Sequence, residues 1–256
     1  MEQGRSTFHR GHMDRRRFLR LGAAVGVSLA SSAAFSALLT GCEQNPPLDR
    51  AQAGDVVRLG NVAFPEYFGG ELSRNIGWRV LAAESGRVLV ISEKIIDLRP
   101  YNDGYARVTW ETCTLRKWLN VDFFEYLPEA MRDAVMAVKL ENLGNPDVRS
   151  EDSNETVDRV FLLSGDEAKD YLPTYDDRRA SLDVSKEAIE GYVENQGEDI
   201  KALVEKHGGG AWWLRSSGSS ESSAAYIFNN GRVMPYGSII IAPLGVRPAL
   251  WLRTSE

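Results

Sequence analysis

Gly208-Gly209-Gly210-Ala211-Trp212-Trp213-Leu214-Arg215-Ser216-Ser217-Gly218 opens the C-terminal third of the chain, a glycine-rich loop running into a strand that carries two tryptophans and an arginine. Beyond it lie the apolar run 225–228, then Asn229-Asn230-Gly231, the short stretch 232–235 and a last apolar segment at 245–252. Asn230-Gly231 predicts a hairpin turn, because glycine takes a positive φ without a Cβ clash. Side chains alternate across a strand, so Trp212 and Trp213 face opposite sides. Either both are core, or one is core and the other is an exposed platform for stacking a sugar or peptide. Arg215 and Arg247 pose a similar choice. They are either bidentate clamps for a carboxylate or phosphate, or structural ties to loop carbonyls or to a buried acid such as Asp158.

Upstream, residues 56–59 read as a first strand, and 78–83 with 87–92 as a hairpin closed around Glu84-Ser85-Gly86, with Val88, Val90 and Ile91 on its buried face. From about Glu111 the apolar period becomes helical, and Leu115, Trp118 and Leu119 share a face. A second helix is expected over 128–138, with Pro128 in its first turn and Met131, Ala134, Val135 and Val138 inward. A polar loop over 142–156 follows. Residues 160–163 form a short apolar strand, and Ser164 with Glu167 makes a capping box that starts another helix. Residues 176–207 are acidic and poor in aromatic anchors, so they read as a peripheral insertion. The acidic loop carrying Asp147, Glu151, Asp152, Asn154, Glu155 and Asp158 is either a solvated surface loop or a set of oxygen ligands suited to calcium. Calcium is the cation these oxygen ligands suit, and no cofactor is otherwise expected. Cys113, beside Trp118, reads as a small buried apolar residue rather than a nucleophile.

The N-terminal 41 residues read as an export signal. Arg15-Arg16-Arg17-Phe18-Leu19-Arg20 fits a twin-arginine leader, a weakly apolar Ala/Gly/Ser/Leu stretch follows, and Leu39-Thr40-Gly41-Cys42 resembles a bacterial lipobox. Cys42 would then be diacylated and become the mature N-terminus. A Sec route with the same lipobox, an uncleaved membrane helix and an ordinary buried helix are the competing readings. Serines 28, 31, 32 and 36 make the segment a poor hydrocarbon span, and the basic run before it argues against a buried helix. Translation starts at Met1 or Met13. Residues 42–53, polar and containing Pro46-Pro47, read as a tether, and 54–256 as one domain.

Removing the leader takes away six of the 30 Lys/Arg and two of the 36 Asp/Glu, leaving 24 against 34 and a net charge of −10. That balance excludes nucleic acid as a partner and leaves the Cys42 lipid as the membrane attachment, on the extracytoplasmic face. With Cys42 acylated, Cys113 is the second and last cysteine, so no intramolecular disulfide forms. His207 is the sole mature histidine, which excludes a metal site built from several imidazoles.

Trp78-Arg79-Val80-Leu81, Thr109-Trp110-Glu111-Thr112-Cys113-Thr114-Leu115-Arg116-Lys117-Trp118-Leu119-Asn120, Val160-Phe161-Leu162-Leu163-Ser164, Trp212-Trp213-Leu214-Arg215-Ser216 and Gly245-Val246-Arg247-Pro248-Ala249-Leu250 occur in this order. The set resembles a bacterial domain-of-unknown-function family found in secreted and lipoprotein chains of gut-type bacteria, over most of 54–252. More remotely, the glycine-rich loop, Trp/Arg strand, hairpin and Gly-x-Arg strand are similar to formylglycine-generating enzymes and other C-type-lectin-like folds. That resemblance implies an α+β domain, two early helices packed on a twisted antiparallel sheet made mostly by C-terminal strands. It does not carry over catalysis, because the enzymes' C-terminal cysteine pair and the histidines of their iron-dependent relatives are missing here.

The expectation is therefore a lipid-anchored protein of the bacterial cell envelope that binds an extracellular glycan or peptide without catalysis. Its ligand-binding residues would be Trp212, Trp213, Arg215, Asn229, Asn230 and Tyr236, with at least one tryptophan lining a groove beside Arg215 or Tyr236 and with Arg247 buried and structural. The alternatives are a hydrolase using a carboxylate pair such as Glu111 and Asp158, and a structural envelope subunit.

Overall fold

The apolar run Arg87–Ser92 is buried on both faces, and its neighbours explain why. In the computed structural model, which describes residues 46–64, 72–145, 154–183 and 209–254, this run is the central strand of a five-stranded antiparallel sheet. The sheet contains β1 (Val56–Arg58), β4 (Gly77–Glu84), β5 (Arg87–Ser92), β7 (Val135–Met136) and β14 (Ala249–Arg253), in the order β1-β4-β5-β14-β7. The hairpin β4–β5 turns at Gly86, whose φ of 76° suits glycine. Strand β14 then pairs Ala249 with Ile91 through to Arg253 with Arg87.

A second five-stranded sheet contains β6 (Asp97–Arg99), β10 (Trp212–Ser217), β11 (Ser223–Ile227), β12 (Val233–Ile239) and β13 (Leu244–Val246). The order within this sheet is β12-β11-β10-β13-β6. Its β10–β13 contact is parallel and the rest are antiparallel. The hairpins β2 (Val62–Phe64) with β3 (Leu72–Arg74) and β8 (Val138–Asn142) with β9 (Asn154–Asp158) stand apart. Helices are short: α1 (Thr114–Trp118), a π-helical turn (Leu119–Phe123), α2 (Phe124–Tyr126), α3 (Glu129–Ala134), α4 (Gly165–Tyr171) and α5 (Tyr175–Arg178). The architecture is α+β with mixed sheets. One sheet rests on the early hairpin β4–β5, so the expected single sheet of mostly C-terminal strands becomes two, and only the second draws chiefly on the C-terminal third. One continuous apolar core includes Trp78, Trp110, Phe123, Phe161, Trp212 and Trp213.

Several elements differ from expectation for physical reasons. The second helix stops at Ala134 and the chain turns extended at Val135. Val135 and Met136 pair with Leu252 and Trp251 instead, and β-branched Val135 suits that ladder. The expected loop over 142–156 is bounded by the β8–β9 hairpin, a half-exposed ladder whose polar alternation hides it from a hydrophobicity reading. Residues 160–163 are buried but not a strand; Phe161 alone bridges Ala249 through N–H···O contacts of 2.9 and 2.7 Å. The described part of the tether, from Pro46, does not stand off the domain, because Ala51 is buried and Leu48 packs on the core. Likewise the front of the supposed insertion is docked. Arg178 is buried, and Ile95 N–H donates to Ser181 O at 2.9 Å. Residues 184–207 lie outside the described set, as do His207, Cys42 and the whole leader.

Candidate functional site

Trp212 and Trp213 lie on opposite faces of β10, but both faces are covered, so both side chains are 0 % exposed. The Trp212 indole N–H donates to Arg178 O at 2.9 Å, on the side where α5 ends. Trp213 donates to Arg99 O at 2.9 Å and meets Tyr101 edge-on with ring centroids 5.4 Å apart. The expected aromatic platform is thus corrected to core. Arg215 is also committed inside. Its Nη2 donates to Glu167 Oε1 at 2.9 Å, Nη1 to Glu167 Oε2 and to Leu162 O, and Nε to Asn142 Oδ1 at 3.0 Å. Asn229 is buried, with no partner for its Oδ1 among the described residues. Asn230 shapes the turn, accepting from Arg232 N–H at its Oδ1. Tyr236 alone of the six is well exposed, at 65 %, on the edge strand β12. The six residues do not line one surface, because alternation along a strand says nothing about whether a second layer covers the far face.

The groups considered for catalysis are tied up or apart. The Asp158 side chain is fully buried and accepts from Trp110 Nε1 at 2.9 Å, Thr156 Oγ1 at 2.8 Å and Arg116 Nε at 2.6 Å. Arg116, rather than Arg215 or Arg247, is therefore its arginine. Glu111 is exposed and accepts from Asn154 Nδ2 at 3.0 Å. Cys113 is the N-cap of α1, its sulfur accepting from Arg116 N–H. Burial pushes its thiol up to about 12, against which the Arg116 and Leu115 backbone contacts and the Arg116 charge act only partly. Among the described residues no group of three His, Cys, Asp or Glu could hold a metal ion. Asp147, Glu151 and Asp152 of the expected calcium loop fall outside those residues, and Glu155 is ion-paired with Lys139 at 2.7 Å.

What the structure does assemble is a basic cleft of about 300 Å³, lined among others by Arg79, Glu93, Lys94, Arg179, Ser181 and Arg247. Strand β4 supplies Arg79. Glu93 and Lys94 follow β5, Arg247 sits in the β13–β14 connection, and Arg179 and Ser181 follow α5. Each is held by local chemistry. Ser92 N–H donates to Pro248 O, which draws the end of β5 to the β13–β14 connection. Arg247 then donates from Nε and Nη2 to Ser92 O at 3.1 and 3.0 Å and from Nη2 to Glu93 O at 3.2 Å, with its guanidinium over the Trp212 ring. Arg79 pairs with Asp177 at 2.9 Å and Arg179 with Asp176 at 2.7 Å. The Thr174 hydroxyl and then Arg79 hold the Asp177 carboxyl below its usual range.

Arg247 is 1 % exposed, and it meets backbone carbonyls where a buried cation ordinarily meets a carboxylate. Burial first, and the neighbouring Arg79 charge second, push its guanidinium down to about 9, with Glu93 opposing them; it stays charged at neutral pH. Its Nη1 has no hydrogen-bond partner among the described residues. The sequence reading foresaw a buried Arg247. It missed the cleft because Arg79, Lys94, Arg179 and Arg247 are spread along the chain and meet only through the sheet and the end of α5.

Fold and cleft together define an α+β domain with a cationic pocket and with its candidate acid and thiol locked into the core. The chain belongs to the family "Domain of unknown function (DUF6273)", whose model matches residues 85–254. That span begins in the β4–β5 turn, so Arg79 lies outside it while Lys94, Arg179 and Arg247 lie inside. No curated protein and no solved structure matches the chain.

Proposed function

We propose that this is an exported, lipid-anchored protein of the bacterial cell envelope that binds an extracytoplasmic ligand of the glycan or peptide class, without catalysis, at the basic cleft. The observation carrying this reading is the convergence of four cationic side chains on one concavity, one of them a buried arginine with a nitrogen to spare. Pockets that bind small molecules typically set a few polar groups in a concave site of this order of volume. The leader and Cys42 support the anchor. Among the described residues no helix is long and apolar enough to cross a membrane. A C-type-lectin-like fold belongs to the same proposal, supported by the late strands β10 to β13, which make four of the five strands of the second sheet.

The test is a glycan and peptide array probed with protein from Cys42 onward carrying Cys42→Ser, beside the same protein with Ser181→Trp. Ser181 is exposed and lines the cleft, so the indole should fill it. Array signals that vanish with the tryptophan support the reading; signals unchanged by it overturn the location. A second reading, a structural subunit that docks another protein, draws on exposed Tyr105, Tyr236, Ile239 and Ile241 around β12. Pull-down of an envelope protein lost in Tyr236→Asp, with a blank array, would favour it.

A further inference from the structure

We infer that the cleft recognises a monoanionic carboxylate on its ligand, a proposal that rests on the binding reading above. The charge inventory points there. Arg79 and Arg179 already face Asp177 and Asp176, which leaves Lys94 and Arg247 against Glu93. Four cations against these three carboxylates leave one positive charge in excess. A carboxylate cancels it, whereas a dianionic phosphate overshoots it beside Glu93.

Hydrogen bonding gives the same answer. Lys94 is exposed and has no ion-pair partner among the described residues. Arg247 has spent Nε and Nη2 on Ser92 and Glu93 carbonyls and keeps Nη1 unpartnered. A buried donor without an acceptor is costly, and more so when charged; Nη1 is itself out of solvent contact, so an oxyanion gains that bond once a shift of the Arg247 side chain brings the nitrogen to the cleft wall. Arg247 sits near Arg79, whose charge disfavours its own. A negative group between them relieves the repulsion. The rest of the mature surface is net acidic, so a free acid is attracted to this cleft and not to the surface around it.

The experiment titrates the full chain, purified in detergent, with glucuronate, its methyl ester, glucose and inorganic phosphate, followed by calorimetry. Two short peptides, one with a free and one with an amidated C-terminus, are run beside them. The proposal expects the acid or the free-carboxyl peptide to bind at least about tenfold more tightly than its neutral counterpart, weakening as salt rises. Lys94→Ala should weaken it by about tenfold and Lys94→Glu abolish it, while Lys117→Ala on the exposed side of α1 leaves it unchanged. Lys94 is exposed, so these variants retain the fold, which the melting temperature verifies. Equal binding of charged and neutral probes, lost in Ser181→Trp, would overturn the carboxylate inference and leave the binding reading standing. Phosphate binding tighter than carboxylate would also overturn it. Binding of none of the probes would sink both.

Discussion

Arg215 and Trp213 sit two positions apart on β10 and are both interior, and their side chains are expected to matter for folding alone. Trp213→Ala removes an indole packed on Tyr101 and Tyr226 and should cost about 3–5 kcal/mol, read as a lowered denaturant midpoint. A platform residue would have left stability nearly unchanged. Cys113 gives a pH-dependent prediction. Its thiol is held protonated up to about 12 in the fold, whereas in the unfolded chain it ionises near about 8.5. Below that lower value both states keep the proton, and its contribution to stability is complete. Above it the unfolded state releases the proton first, so stability falls as pH rises toward 12. Unfolding followed between pH 8 and 11 should show a shallower alkaline loss in Cys113→Ala than in the parent, and in a Cys42→Ser background iodoacetamide at pH 8 should label Cys113 only once denaturant is added. At this scale the sequence was readable where composition alone decides, as for a lone cysteine among aromatics. It was unreadable for Trp212 and Trp213, where the covering layer comes from Tyr101 and Arg178, far away in the chain.

Helix α4 shows how one element can carry two duties. Ser164 and Glu167 form the capping box read from sequence, with Ser164 Oγ accepting from Glu167 N–H and the Glu167 carboxylate accepting from Ser164 N–H. The same carboxylate is the acceptor for Arg215. Ser164→Ala should therefore cost about 1 kcal/mol, an ordinary cap loss, and Glu167→Ala about 3–5 kcal/mol, because it strands a buried guanidinium. Equal losses in paired chemical denaturations would contradict the dual role. The capping signal was visible because it is local, and so were α1 and the β4–β5 hairpin. Strands β8 and β9 were not, since the outer face pairs Lys139 with Val157 and Glu141 with Glu155, and the inner face sets only Val138 and Leu140 against the polar Asp158 and Thr156. The end of α3 was misplaced because its continuation was decided by β14, which the local period does not see. The basic cleft is the extreme case, its four cations coming from four separate stretches.

For the molecule as a whole, the leader makes the prediction. Cys42→Ser should leave the protein unacylated and move it from the membrane to the soluble fraction. Replacing Arg15 and Arg16 by lysine should block export if the twin-arginine machinery carries it, which cell fractionation would read; continued export would assign the Sec route. The first sheet adds a matter of timing. Strand β5 lies between β4, its immediate neighbour in the chain, and β14, which pairs Ala249 with Ile91. A ribosome adding about 5–20 residues per second needs roughly 10–30 s to travel from Ser92 to Arg253. Throughout that interval Leu89, Val90 and Ile91 have an unfilled hydrogen-bonding edge. The nascent chain is thus a natural client for a holding chaperone until its last strand arrives to close the sheet.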